Sequence, residues 1–99
     1  MSSIFARCLG IVRGQQITPD AAVNLIKRRS KLAPREASVL VFDYLGLSRS
    51  EICEELEVTL ETVRTYWRRI REKTGCRRKP DVHAWLEELI RQEMEDEYY

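Results

Sequence analysis

Long apolar runs, glycine-rich loops and clusters of histidine or cysteine are all missing from this 99-residue chain. No apolar stretch approaches the ~20 residues that a membrane-spanning helix needs, so no membrane segment is expected. The opening Met1-Ser2-Ser3-Ile4-Phe5-Ala6-Arg7 holds no long apolar block before a small-residue cleavage site, which argues against a secretory signal. The three cysteines, Cys8, Cys53 and Cys76, are odd in number, widely spaced and form no C-x-x-C pair. That spacing disfavours a disulfide framework or a zinc site and points to a reducing cytoplasm. Cys53 and Cys76 are expected to be inert core residues, while the less constrained Cys8 is free for an intermolecular disulfide. The single histidine, His83, has no cysteine or carboxylate at ligand spacing, so neither a metal nor a cofactor is expected. No nucleophile, base and oxyanion donor can be assembled, because Ser48 and Ser50 are better explained as capping residues. An enzyme is not expected, and no small-molecule ligand is evident.

What is present is charge, unevenly spread. The net charge of +1 averages two opposed blocks. From Thr62 to Lys79 the basic residues are Arg64, Arg68, Arg69, Arg71, Lys73, Arg77, Arg78 and Lys79, against Glu72 alone, a net of +7 in eighteen residues. From Pro80 to Tyr99, Arg91 opposes Asp81, Glu87, Glu88, Glu93, Glu95, Asp96 and Glu97, a net of −6. A solvated helix face normally mixes the signs, so the first block points to an anionic partner and the second would repel it.

The periodicity is helical throughout and no strand is expected. Ile4 to Val12 reads as a helix ending near Gly14. Thr18-Pro19-Asp20 opens the next, with a capping hydroxyl, proline at the first helical position and an acid in the first turn. Lys27, Arg28 and Arg29 suit its C-terminal dipole. A helix over Pro34 to Leu45, with Val39, Leu40 and Phe42 as core, ends at Gly46. Ser48-Arg49-Ser50-Glu51 is a capping box for a short helix whose Ile52, Cys53 and Leu56 share a face. Thr59 can cap a third helix from Leu60 to Thr74, on which Val63, Trp67 and Ile70 form a buried stripe at i, i+4, i+7. The last runs from Pro80 to about Glu95, with Val82, Trp85, Leu86, Leu89, Ile90 and Met94 as its apolar set. Trp67 and Trp85 sit among apolar neighbours and are expected to be core rather than base-stacking platforms.

Two short helices joined by a tight turn, the second with a cationic outer face, can place a helix in a DNA major groove. The residues themselves go further. Leu32-Ala33-Pro34-Arg35-Glu36, Gly46-Leu47-Ser48, Glu51-Ile52-Cys53, Thr62-Val63-Arg64 and Ile70-Arg71-Glu72-Lys73-Thr74-Gly75-Cys76 resemble the LuxR/FixJ-type (GerE-like) helix-turn-helix from Leu32 to Ile90. The resemblance implies an all-α, four-helix domain over 32–95, preceded by a helical extension over 1–31 and followed by a frayed tail over 96–99. It implies a transcriptional regulator that binds double-stranded DNA as a homodimer, with the helix at 60–74 in the major groove. By position in the motif it assigns DNA contacts to Thr62, Arg64, Thr65, Tyr66, Arg68, Arg69, Lys73 and Lys79. The dimer contact would be Val82, Trp85, Leu86 and Leu89. Two readings compete: an adaptor whose basic face meets RNA polymerase or another regulator, and sigma-factor-like recognition within polymerase.

The departures from the pattern carry expectations of their own. Ala33 replaces a capping hydroxyl, a loss of about 1 kcal/mol unless another group caps the helix. Glu57 replaces a turn glycine, and Asp43 stands at a usually apolar position. Ala37, Val41 and Leu45 form an extra apolar stripe, expected to be covered either by the N-terminal helices or by a second chain. Thirty extra residues cannot build a receiver sheet or a ligand cavity. Control is therefore expected to come from abundance, a partner protein or a simple device within the chain.

Overall fold

The computed structural model describes residues 11–12, 15–16 and 18–98. Two two-residue strands, β1 (Ile11–Val12) and β2 (Gln15–Gln16), pair antiparallel, Ile11 opposite Gln16 and Val12 opposite Gln15. Five helices follow: α1 (Pro19–Arg29), α2 (Pro34–Tyr44), α3 (Arg49–Leu56), α4 (Leu60–Thr74) and α5 (Lys79–Tyr98). The all-α class therefore holds for the body of the chain. The helix expected over Ile4 to Val12 does not extend to Ile11 and Val12, which are strand. Gly10 and Gly14 flank this segment, and glycine costs about 1 kcal/mol in a helix interior while favouring tight hairpin turns. The rest of that expected helix, with Cys8, lies outside the described residues.

The helix starts obey local chemistry. Thr18 Oγ1 accepts from the Ala21 amide at 3.1 Å, Ser48 Oγ from Glu51 at 3.2 Å and Thr59 Oγ1 from Thr62 at 3.3 Å. Glu51 completes its box by accepting from the Ser48 amide at 2.9 Å. The helix ends are equally explicit. Beyond α2, Gly46 is left-handed (φ 91°), and the amides of Gly46 and Leu47 donate to the carbonyls of Asp43 and Phe42. Beyond α3 the same motif is built on Glu57 (φ 56°, ψ 47°), with Glu57 and Val58 amides donating to Glu54 and Cys53. A side chain in the left-handed region is strained where glycine is not. Glu57→Gly is expected to stabilise the domain by about 1 kcal/mol, read as a higher denaturant midpoint at unchanged slope. An unchanged midpoint would mean that the turn carries no strain.

One core joins all five helices. It holds Ala22, Leu25 and Ile26 of α1, Ala37, Val39, Leu40, Val41 and Phe42 of α2, Ile52 of α3, Val63, Trp67 and Ile70 of α4, and Val82, Leu86 and Leu89 of α5. Helix α1 packs along α2 and also touches α5. The stripe of Ala37 and Val41 is fully buried inside the chain, with Leu45 packed at its edge. The chain itself covers the stripe, and α1, which packs on α2 and shares the core, is a structural part of the domain rather than an appendage. Helix α5 continues through Tyr98, so residues 96–98 prolong it instead of forming a separate tail. The Met94 side chain lies outside the described residues.

Candidate nucleic-acid interface

Helices α3 and α4 pack against one another across the three-residue turn Glu57-Val58-Thr59, and both rest on α2. The first turn of α2 holds the C-terminal ends of both. Arg35 Nη1 donates to the Leu56 carbonyl at the end of α3, 2.7 Å away, a cation placed on a helix C-terminus. Beside it, Glu36 is only 2% exposed, and its Oε1 accepts both from the Ala33 amide at 3.0 Å and from Lys73 Nζ at 2.7 Å. Ala33 has no side-chain acceptor to offer, so Glu36 supplies the half of the capping arrangement that remains possible. The same carboxylate clamps the end of α4 to the start of α2.

With Val63, Trp67 and Ile70 buried, the other side of α4 faces solvent. Arg68 and Arg69 are exposed, and neither makes an ion pair among the described residues. Arg64 is exposed and held loosely by Glu61 one turn earlier (2.9 Å), an exposed pair worth little. Thr65 Oγ1 donates to the Glu61 carbonyl, and Thr62 Oγ1 shares a hydrogen bond with Thr59 Oγ1. Tyr66 is half-buried and packs on the core, which leaves part of its surface at the helix flank. These six residues therefore share one helix, Arg64, Arg68 and Arg69 carrying the exposed charge.

Two residues assigned to DNA are placed differently. Lys73 is committed to the buried Glu36. Lys79 lies 3.4 Å from Asp43 and 4.8 Å from the centre of the Trp67 ring, so it closes α5 onto α2 and α4. Asp43 also meets His83 Nε2 at 2.7 Å, and the His83 ring stands edge-on to Tyr44. Burial first, and then the nearby Glu87 carboxylate, raise the Tyr44 phenol above its usual range. The carboxylate that breaks the apolar pattern of α2 is thus matched by two cationic or polar groups from α5. Trp67 Nε1 is buried and has no hydrogen-bond partner among the described residues.

The residues expected at a dimer contact are largely taken up within the chain. Val82, Leu86 and Leu89 are buried in the chain's own core, and only Trp85 of the four is part-exposed. The physical reason is α1, which together with α2 and α4 covers the apolar side of α5. Cys53 and Cys76 are part-buried against the core, as expected for inert cysteines.

Some residues of this face escaped the sequence reading. Leu60, at the first turn of α4, is the one large apolar side chain left exposed among the described residues. An apolar group there suits a thymine methyl, and its place one residue past the capping Thr59 was the available signal. Arg77 and Arg78 appeared only in the charge count, and Arg71 was quoted in the motif without a DNA contact of its own. Among the described residues no group of histidine, cysteine and carboxylate could hold a metal ion, and no helix is long and apolar enough to cross a membrane.

Comparison with known families decides between related helix-turn-helix types. Residues 23–74 match Sigma-70, region 4, just over half of the chain. The chain belongs to the Sigma-70 region 4 family. This is a helix-turn-helix DNA-binding fold family, and the match runs from within α1 to the last residue of α4. The LuxR/FixJ-type resemblance placed the start at Leu32 and included α5. The region 4 match instead takes in α1 and stops before α5, in keeping with an α1 that shares the core. No solved structure matches the chain.

Proposed function

We propose that this region 4 protein binds duplex DNA sequence-specifically in the service of transcription, with α4 in the major groove. The observation that carries the reading is the outer face of α4. Arg68 and Arg69 stand there without ion pairs among the described residues, next to Arg64 and Thr65, across the helix from a buried stripe. A helix fits the major groove in that pose, and arginine can donate two hydrogen bonds to one guanine. The likeness of residues 32–90 to LuxR/FixJ-type domains supports the same docking. Homodimerisation through α5 keeps one of its four expected residues, Trp85, so the single domain is taken as the DNA-binding unit. A regulator of this kind acts in the cytoplasm, and the family also makes RNA polymerase a natural partner.

Selection from a randomised duplex pool, with sequencing of the bound fraction, tests the reading. The full chain is expected to enrich a defined motif at near-physiological salt. Arg64→Ala, Arg68→Ala is expected to lose about 1–3 kcal/mol of base discrimination per residue that reads a base, and the motif with it. A single, unrepeated motif would fit one domain per site, whereas a two-fold motif would restore the homodimer. No enrichment, with the double variant behaving as the parent, would reassign α4 to a protein partner such as polymerase.

A further inference from the structure

At the C-terminal end of α4 the surface dips into a shallow, open depression lined by Arg68, Arg71, Glu72, Gly75, Cys76 and Arg77. Three arginines and one glutamate are among its lining residues. None of the three arginines has an ion pair or hydrogen-bond partner for its side chain among the described residues. In this they differ from Lys73 and Lys79, whose ammonium groups are already held by Glu36 and Asp43. Gly75, left-handed at φ 74°, ends the helix and puts no side chain in the depression.

We infer that this depression is a seat for the phosphodiester backbone of duplex DNA, held by Arg71 and Arg77 and joined through Arg68 to the base-reading face of α4. The inference rests on the duplex-binding reading above and names where the backbone strand leaves the groove. Arginine suits the task because its planar fork matches two phosphate oxygens at once. The open shape suits a continuous strand and not an enclosed small molecule. A protein partner is the less fitting occupant, since hot spots on such surfaces lie in well-packed, fully desolvated pockets, and this depression is open and lined mainly by charged side chains. Lys73 and Lys79 then serve the fold, and Arg71 and Arg77 take over the DNA contacts that position in the motif assigned to those lysines.

The test is the salt dependence of binding, by fluorescence anisotropy of the full chain on a fluorescein-labelled mixed-sequence duplex. Each neutralised phosphate contributes about 0.9 to the slope of log K against log salt. Arg71→Gln, Arg77→Gln is expected to flatten the slope by about 1.8, and Arg77→Gln alone, at an exposed position, by about 0.9. Lys79→Gln is expected to leave the slope unchanged. Circular dichroism of Arg77→Gln is expected to match the parent, so that a flatter slope cannot be ascribed to unfolding. A parent that does not bind duplex overturns the functional reading itself, and the seat falls with it. A parent that binds with a steep slope which Arg77→Gln leaves unchanged overturns the seat alone and leaves these arginines to an acidic protein surface. Flattening by Lys79→Gln as large as that by Arg77→Gln also overturns it, since the phosphate contact would then belong to the lysine.

Discussion

Lys73→Met is expected to destabilise the domain by about 3 kcal/mol, the lower end of the cost of breaking a buried ion pair by removing one partner. For a chain of this size that is a fall in Tm of roughly 12–24 °C. The reason lies in what remains behind. The Glu36 carboxylate stays 2% exposed with the Ala33 amide as its other donor, so its charge has lost its countercharge without regaining water. Removing the other partner is the milder change. The Lys73 side chain is 34% exposed and its ammonium can turn to solvent, while an amide at position 36 still accepts from Ala33. Glu36→Gln is therefore expected to cost only about 1 kcal/mol, the size of an ordinary hydrogen bond. The Glu36→Gln, Lys73→Met double variant is expected to fall well short of the summed single effects, as for residues in direct contact. Urea melts of the four proteins decide the matter. Equal costs for the two single variants would show that the pair behaves as a surface pair and that the clamp is unimportant.

The second large effect tests whether α1 belongs to the domain. Ile26→Ala is expected to cost about 2–5 kcal/mol, because a fully buried isoleucine leaves a cavity that neighbouring helices fill only in part. The cost should appear throughout α2 and α5, the two helices that α1 touches, as faster amide exchange. Were α1 a loosely attached extension, the variant would melt with the parent and exchange would rise in α1 alone. The family match, which begins at Val23, leads to the same expectation from an independent direction.

What could be read from the sequence was whatever depends on near neighbours along the chain. The caps at Thr18, Ser48 and Thr59, the stripe of Val63, Trp67 and Ile70, and the stop at Gly75 all involve residues within a few turns of one another. The misplacements involve partners far away in sequence. Lys73 meets a carboxylate 37 residues earlier and Lys79 one 36 residues earlier, and in a basic block each looked like another cation for phosphate. Val82, Leu86 and Leu89 formed a convincing apolar stripe, but periodicity cannot say whether a second chain or α1 will cover it. The unusual residues were better guides than the regular ones. Ala33 without a hydroxyl, Asp43 in an apolar row and Glu57 in place of glycine each marked a point where the structure holds a compensating contact or a strained turn.

Adjacent residues at the start of α2 hold the two halves of the helix-turn-helix, Arg35 at the end of α3 and Glu36, through Lys73, at the end of α4. An α-helix advances about 100° per residue, so fixing Lys73 against α2 fixes the azimuth of every side chain on α4. Arg64 and Arg68 point where they do because a residue about two and a half turns or less beyond them is pinned. Inserting one residue between Arg69 and Lys73 would swing the arginine face by about 100° relative to that pin, turning it from the groove toward the flank. Two neighbouring side chains of α2 thus set the rotational phase of the arginine face that the proposed function turns toward DNA.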